Sequence, residues 1–220
     1  MRRMTQPRDA YHHGDLRNAL VASAVQIIEA SGPGAFSLRE AAREVGVSAN
    51  AAYRHFDDKA ALMSAVATDG FERLAKRMLR AMEGAVGQRA ERPIAIARFR
   101  AVGRAYVEFA VEHPALFRVM FGEHGAACPR TVAREPAGPT PWTLLGTALD
   151  ALVEDGLLTP ARREGAELKA WSVVHGFASL AIDGLLGAPT ARARATALED
   201  ALDFAVVGLC GEATSRRRKR

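Results

Sequence analysis

Residues 37–62 read S-L-R-E-A-A-R-E-V-G-V-S-A-N-A-A-Y-R-H-F-D-D-K-A-A-L, and this stretch determines the expected fold. Ser37 followed by Glu40 is a capping box, which predicts the start of a short helix that ends at Gly46. Ser48 predicts the N-cap of a second short helix. Two short capped helices joined by a tight glycine turn are typical of a helix-turn-helix, in which the second helix can enter the DNA major groove.

The second of these helices, predicted to end near Phe56, has two different faces. Ala52 and Phe56 are four residues apart and face the core. Asn50, Tyr53 and Arg54 share the opposite face. Asn can pair with adenine and Arg with guanine through two hydrogen bonds, and a Tyr hydroxyl suits a phosphate oxygen. The pattern therefore predicts a DNA-reading helix, although an ordinary helical hairpin with a polar outer face would show the same spacing.

The same stretch resembles the DNA-binding domain of TetR-family transcriptional regulators, and the likeness extends over about residues 11–70. The matching parts are the G-V-S turn, the Y-R-H-F end of the second helix and the D-D-K-A-A-L that follows. Two further motifs, Y-H-H-G-D-L-R near the N-terminus and W-S-V-V-H-G at residues 171–176, are similar to a subgroup named for its Trp-His-Gly motif. Many members carry Pro-Gly-Thr where this chain has Ala49-Asn50-Ala51, so a threonine phosphate contact is absent and Asn50 is the best candidate for reading a base.

The resemblance also implies which residues contact DNA. Tyr53, His55 and Lys59 correspond to phosphate-contacting positions, and residues 48–54 cover the base-reading ones. Helix starts add N–H groups that favour phosphate. The predicted DNA-binding residues are Ser37, Arg39, Ser48, Ala49, Asn50, Ala51, Tyr53, Arg54, His55 and Lys59.

Composition excludes several classes of protein. The chain has 220 residues, of which 49% are hydrophobic and 25% charged, a balance typical of globular proteins. Two cysteines exclude a disulfide-built scaffold. No apolar run reaches the roughly 18 to 20 residues of a membrane span, so we expect a soluble cytosolic protein without a membrane partner.

The positive charge of the chain is concentrated at its C-terminus. Lys and Arg number 30 against 25 Asp and Glu, a net charge of +5, and the five basic residues 216–220 account for the whole excess. A prediction of DNA binding must therefore depend on local placement rather than on net charge. The basic tail would either contact DNA phosphates or raise solubility.

Helix signals recur along the chain and strand signals are scarce, so we expect an all-α fold with about nine helices. A cap at Asp15 and a stop at Gly32-Pro33-Gly34 predict the first helix. Asp57 predicts the cap of a long helix over residues 58–87. These signals divide the chain into an N-terminal arm (residues 1–14), a helix-turn-helix domain (15–60), a regulatory and dimerisation domain (61–211) and a basic tail (212–220).

Prolines and threonines predict the later helix boundaries. Pro93 begins a helix that ends at His113-Pro114, and a short helix follows. Residues 122–139 are rich in Gly, Pro and Ala and predict a mobile loop. Thr140-Pro141, Thr159-Pro160 and Thr190 predict the starts of helices over about 141–155, 160–187 and 191–210.

The last two long helices carry repeating apolar positions that suit helix packing. Because TetR-like proteins are dimers, the resemblance suggests that two such helices per subunit form a four-helix interface. Packing within one subunit is the alternative. The predicted dimerisation residues are Trp171, Val174, Ala178 and Ile182 on one helix, and Leu198, Leu202, Ala205 and Leu209, preceded by Ala195, on the other.

TetR-like proteins release DNA when a small molecule binds the C-terminal domain. A polar stripe of Ser172, His175, Ser179 and Asp183 could line a ligand cavity or the dimer interface, or form hydrogen bonds within the core. Aromatic and apolar residues could wall such a cavity, although each could equally belong to the plain core. The predicted ligand-binding residues are Phe109, Phe117, Met120, Phe121, Trp142, Trp171, His175 and Ser179.

Catalysis and metal binding have little support. Ser172 and Asp183 are eleven residues apart, roughly 16 Å along a helix, whereas a catalytic triad needs contacts of about 3 Å. His124 and Cys128 hint weakly at a metal or redox site, and Cys210 fits a buried thiol. We expect no catalytic residues, metal or cofactor.

The sequence thus predicts a TetR-like regulator, expected to be a repressor. As a dimer it would bind a pseudo-palindromic site on double-stranded DNA, and a small-molecule effector would release it. A carrier or enzyme that retains the helix-turn-helix only as a fold element is the alternative from another class. A regulator that acts through a protein partner, without a ligand, would have a closed core and no cavity.

Overall fold

The computed structural model of the protein describes residues 16–85, 93–122, 138–188 and 190–211. Within these ranges the chain forms ten α-helices and no β-strand, which confirms the all-α prediction. The helices are α1 (Leu16–Ser31), α2 (Leu38–Val45), α3 (Ala49–Tyr53), α4 (Lys59–Gly84), α5 (Ile94–Glu112), α6 (Pro114–Phe121), α7 (Pro141–Glu154), α8 (Pro160–Arg163), α9 (Ala166–Ile182) and α10 (Ala191–Cys210). Several predictions lie outside the described residues. They concern Asp15, the N-terminal arm, His124, Cys128, most of the 122–139 loop and the basic tail.

Helices α1, α2 and α3 pack against one another as a three-helix head. The Oγ atoms of Ser37 and Ser48 accept hydrogen bonds from the N–H groups of Glu40 at 3.1 Å and Ala51 at 3.2 Å, which confirms both predicted N-caps. The Glu40 carboxylate, predicted to complete a capping box, instead lies 3.5 Å from the guanidinium of Arg43. Each short helix is therefore fixed at its start by one serine hydroxyl.

Two predicted helix boundaries need correction. Helix α3 ends at Tyr53 rather than near Phe56, because the N–H groups of His55 and Phe56 both bond to the Ala52 carbonyl in a turn. The cap of α4 is Asp58 rather than Asp57, since the Asp58 carboxylate accepts the N–H of Ala61 at 2.7 Å. Both differences are of one to three residues and leave the order of elements unchanged.

The single helix predicted over residues 160–187 is two helices, which explains the count of ten rather than nine. Gly165 separates α8 from α9 with a φ of 66°, a left-handed conformation that interrupts a right-handed helix. Helix α9 ends at Ile182, five residues earlier than predicted. The predicted caps at Thr140 and Thr190 are confirmed, whereas Thr159 makes no side-chain cap bond.

Helix α5 lies at the centre of the C-terminal bundle and packs against α4, α7, α9 and α10. Its Arg100 is buried and forms ion pairs with Glu199 and Asp203 of α10. Arg104 adds a bond to the Glu199 carboxylate at 2.7 Å, and this bond together with that from Arg100 lowers the pKa of Glu199. The bundle is thus held by an apolar core and by ion pairs between helices, including the charged cluster between α5 and α10.

Replacing Gly46 by Ala should destabilise the head, because Gly46 ends α2 with a φ of 79°. We expect Gly46→Ala to lower the free energy of unfolding by about 1 to 2 kcal/mol. Urea titration at fixed protein concentration measures this change. Gly84→Ala is the matched control, since Gly84 lies in α4 with no atom within 4 Å of an added Cβ, and it should leave stability unchanged or raise it by up to about 1 kcal/mol. Equal stability of the two variants would contradict the prediction.

Candidate functional sites

The α3 helix is fixed to the head by its apolar side and exposes its polar side. Ala52 and Phe56 are buried in the core, as the sequence predicts. Asn50, Tyr53 and Arg54 are exposed on the surface, and the Tyr53 ring remains 45% accessible despite its size. An exposed aromatic hydroxyl beside an amide and a guanidinium can donate to phosphates and to base edges.

The other predicted DNA-binding residues lie around the same helix. The hydroxyls of Ser37 and Ser48 serve as helix caps while their residues stay exposed. Ala49 and Ala51 are half-buried. The remaining predicted residues, Arg39, His55 and Lys59, are exposed.

Two cations are held against aromatic rings of the head. The Lys59 ammonium lies 5.7 Å from the centre of the Phe36 ring, and the Arg17 guanidinium lies 5.0 Å from that of Phe56. Contacts of this kind orient a cation while leaving it charged. Arg17 is a candidate DNA contact that the sequence prediction missed, although it belongs to the Y-H-H-G-D-L-R motif.

The C-terminal bundle contains an apolar cavity, here called the inner cavity, between α4, α5, α6, α7, α9 and α10. Its walls include Phe71, Phe99, Tyr106, Trp142 and Trp171. The volume that the centre of a water molecule could occupy in this cavity is about 40 Å³. This is more than one water needs but far less than the ~150 Å³ apolar cavity that binds benzene. A ligand must therefore move the walls as it enters.

A second, more open space, here called the outer cavity, lies beside it with a volume of about 380 Å³. Its lining includes Phe117, Phe121, His175 and Ser179. Arg118 and Asp183 also line it and form an ion pair of 2.7 Å between Nη2 and Oδ1. Phe121 belongs to both cavities and so forms the partition between them.

A short chain of hydrogen bonds connects the two cavities. The Trp171 Nε1–H group donates to the Tyr106 hydroxyl at 3.1 Å, and that hydroxyl lies 2.8 Å from His175 Nδ1. The His175 ring is surrounded by Phe121 at 4.8 Å, Trp171 at 5.2 Å and Phe117 at 5.5 Å between centroids. Burial among these rings lowers the pKa of His175 from its ordinary value, so the imidazole is neutral at pH 7.

The predicted ligand-binding residues divide into three groups. Phe121, Trp142 and Trp171 line the inner cavity, and Phe117, His175 and Ser179 line the outer cavity together with Phe121. Phe109 and Met120 line neither cavity and are buried core residues. The sequence prediction missed Tyr106, Phe71 and Phe99, because α4 and α5 carry no polar stripe that would single out their cavity-facing side chains.

The serine, histidine and aspartate of the polar stripe do not form a triad. Ser172 Oγ donates to the Leu168 carbonyl at 2.7 Å, while His175 pairs with Tyr106 and Asp183 with Arg118. In the described part of the chain no three His, Cys, Asp or Glu side chains cluster in a way that could hold a metal ion. Cys210 is half-buried, and burial raises the pKa of its thiol.

Most of the predicted dimerisation residues lie in the interior of this chain. Val174, Ala178, Leu198, Leu202, Ala205 and Leu209 are all buried against other helices of the same chain, and Trp171 and Ile182 are half-buried. Three of the buried residues, Val174, Leu202 and Ala205, line the inner cavity. In this chain the apolar seam contacts helices of the same subunit, and which residues form a dimer interface stays a prediction.

Comparisons with known proteins agree with this architecture. The family profile described as "Bacterial regulatory proteins, tetR family" matches residues 20–66, and the profile "Tetracyclin repressor-like, C-terminal domain" matches residues 99–205. The chain belongs to the TetR family of bacterial regulatory proteins. It therefore has the fold and domains of a DNA-binding transcription regulator. No curated protein matches the chain.

Solved structures support the same assignment. A Rhodococcus protein of unknown function is 33% identical over 92% of this chain and all of its own, with a TM-score of 0.67. A TetR-family regulator from Marinobacter aquaeolei (18% identity, TM-score 0.58, coverage 89% of this chain and 96% of its own) shares the fold. So does a TetR variant from Acinetobacter baumannii in complex with minocycline (19% identity, TM-score 0.59, coverage 90% and 96%).

Among the described residues of our TetR-family chain, no helix is both long and apolar enough to cross a membrane.

The buried His175 should make stability depend on pH. Its pKa is lowered in the folded protein, so the unfolded chain takes up a proton near pH 6.5 that the folded chain resists. Stability is therefore lost as the pH falls below about 6.5. His175→Gln keeps an acceptor for Tyr106 and does not titrate. We expect the wild type to lose more free energy of unfolding than His175→Gln between pH 7.5 and 5.5. Equal losses in urea titrations would contradict the assignment.

Proposed function

We propose that this TetR-family regulator is a dimeric repressor that leaves a pseudo-palindromic operator when a small molecule enters the inner cavity. The observation that carries the proposal is that two helices of the aromatic cavity wall, α4 and α6, also pack against α1 of the head. Phe71 of α4 and Phe121 of α6 meet edge to face in that wall, with ring centroids 5.2 Å apart. A ligand that pushes these rings apart would shift α4 relative to α6.

Helix α6 provides the second connection between the cavity and the head. It packs against both α1 and α4. At its first turn, His113 Nδ1 lies 2.7 Å from the Glu29 carboxylate of α1. Because α4 begins at Lys59 beside the head, a shift of α4 and α6 would turn the head relative to the bundle. A ligand that favours the shifted arrangement lowers operator affinity by as much as its own affinity differs between the two arrangements.

The proposed dimer interface is the outward side of α9 and α10, here called the two-helix face. Leu168 and Leu180 of α9 and Phe204 and Val207 of α10 are exposed there, and the Phe204 side chain is 70% accessible. Large apolar side chains concentrated on two adjacent helices are typical of interaction surfaces. We assign a second copy of this chain as the occupant, because the resulting two-fold symmetry would place two α3 helices against the two half-sites of an operator.

Small residues on the two-helix face support close approach of a partner. Gly176 of α9 and Gly208 of α10 have no atom within 4 Å of an added Cβ. Gly176 ends the W-S-V-V-H-G motif, so this motif contributes Trp171 and His175 to the cavities and Gly176 to the outer surface. The same short segment would thereby link ligand binding to the proposed interface.

The two cavities also help to distinguish the proposed function from a ligand-free regulator. A regulator that acts only through a protein partner would need no internal space, whereas this chain has both an inner and an outer cavity. A carrier or enzyme would need no exposed reading helix. The exposed polar face of α3 and the family assignment both favour a regulator of DNA.

Selection of genome fragments with the purified protein, followed by fluorescence anisotropy at two salt concentrations, tests the proposal. We expect a palindromic site that is bound far more tightly than random DNA, with one dimer per site. If the protein binds all DNA weakly and with a steep salt dependence, sequence-specific regulation is refuted. The alternative of a small-molecule carrier is then favoured.

Substitutions on the reading helix should separate base reading from phosphate contact. Asn50→Ala should weaken binding to the selected site by about 1 to 3 kcal/mol and relax specificity at one base pair. Tyr53→Phe should weaken it by about 1 kcal/mol, and Lys59→Ala should weaken all DNA binding and lower the salt slope by about 1. Anisotropy titrations measure these changes. Lys76→Ala is the control, because Lys76 is an exposed lysine farther along α4. Normal binding by Tyr53→Phe and Lys59→Ala would refute the contact assignment.

A charge on the two-helix face should produce a folded monomer. Phe204→Glu places a carboxylate where the apolar ring would be covered by the partner, and desolvating an unpaired charge is costly. We expect a monomer by sedimentation velocity at concentrations at which the wild type is a dimer, with unchanged helical circular dichroism. Val111→Glu is the control, since Val111 is 40% exposed on α5 away from this face. A dimeric Phe204→Glu protein would contradict the proposed interface.

A further inference from the structure

We infer that the effector is an uncharged molecule built on a ring, with one hydrogen-bonding oxygen that pairs with the Tyr106 hydroxyl. A para-alkylated phenol is a simple representative of this class. This inference rests on the proposed function, because it specifies the chemical class of the effector that would enter the same inner cavity.

The shape of the inner cavity favours a ring. Trp142 and Trp171 meet edge to face, with centroids 6.2 Å apart and planes at 87°. Phe71 and Phe121 meet in the same way on another part of the wall. Aromatic rings bind further rings through offset and edge-to-face contacts. A flat ring can therefore replace one of these mutual contacts as it enters, whereas a flexible chain would lose conformational freedom without that gain.

The charge of the walls excludes an ionised ligand. Among the described residues, no Asp, Glu, Lys, Arg or His side chain lines the inner cavity. The Arg118 and Asp183 charges lie in the outer cavity and already pair with each other. Arg100 of α5 pairs with Glu199 and Asp203. A carboxylate or ammonium inside the inner cavity would therefore be buried without a partner, which costs several kcal/mol.

The polar part of the wall favours a ligand with a hydrogen-bonding oxygen. Tyr106 supplies the hydroxyl of the lining, and it lies between Trp171 Nε1 and His175 Nδ1. A hydroxyl both donates and accepts, and a neutral imidazole can take either role at Nδ1. The pair can thus reorient its protons to accept from a ligand hydroxyl or to donate to a ligand carbonyl. A purely hydrocarbon ligand would form no hydrogen bond with the Tyr106 hydroxyl.

Both tryptophans of the chain line the inner cavity, so tryptophan emission reports on it directly. Four probes that share one ring and one alkyl chain isolate the effect of the polar group: 4-propylphenol, 4-propylbenzoate, 4-propylbenzylammonium and propylbenzene. Each is titrated into the full-length wild-type protein at pH 7.5, with emission excited at 295 nm and isothermal calorimetry as the second measurement.

We expect 4-propylphenol to bind at least about tenfold more tightly than either ion, and several-fold more tightly than propylbenzene. Tighter binding of the benzoate or the benzylammonium would overturn the inference, as would equal affinities or no binding of any probe. Tyr106→Phe should reduce the advantage of 4-propylphenol over propylbenzene to about twofold or less. Thr147→Val is the matched control, since the Thr147 hydroxyl bonds to the Thr143 carbonyl on the exposed side of α7.

If Tyr106→Phe fails to fold, the charge preference of the wild type still decides the question. The outcome is also separable from the proposed function. Operator selection and anisotropy are carried out without any probe, so absence of specific DNA binding would refute the regulator while leaving the cavity measurement valid. Specific DNA binding together with a preference for charged probes would refute only the ligand class.

Discussion

The continuity of α4 is the constraint on which the rest of the structure depends. This helix of 26 residues begins at Lys59 beside the head and reaches the wall of the inner cavity at Phe71 and Met78. A helix of this length spans about 39 Å without a break. Because its backbone bonds are all internal, it moves as one body. Any change at the cavity wall that tilts α4 therefore also displaces its first turn, where the head is attached.

The aromatic cluster around Tyr106 and His175 determines what such a change can be. The rings of Phe117, Phe121 and Trp171 surround a neutral imidazole, and its Nδ1 lies within hydrogen-bond distance of the Tyr106 hydroxyl. A tightly packed wall of this kind has few intermediate arrangements, since close-packed interiors resist gradual deformation. Entry of a ring would favour a discrete second packing, which is what a two-state regulator requires.

Much of the fold was predictable because it depends on local chemistry. Serine, threonine and aspartate caps mark helix starts through bonds to residues three positions later, and Gly46 marks a stop through its backbone conformation. Errors occurred where the local signal was ambiguous. Neighbouring aspartates both suit the cap of α4, and a glycine such as Gly165 can either continue a helix or interrupt it with a positive φ.

By itself, the sequence determined the helical class, the family and the polar face of α3, because caps, turns and helical spacing act between residues that are close along the chain. It also predicted α9 and α10 as the helices of a dimer interface, which stays a prediction. Only the tertiary structure decided which side of each helix is inside, since an apolar stripe such as Leu198, Leu202 and Ala205 suits a core, a cavity wall and an interface equally well. The inner cavity likewise depends on six helices that meet in space, and sequence spacing could not reveal that its Tyr106 hydroxyl meets Trp171 and His175.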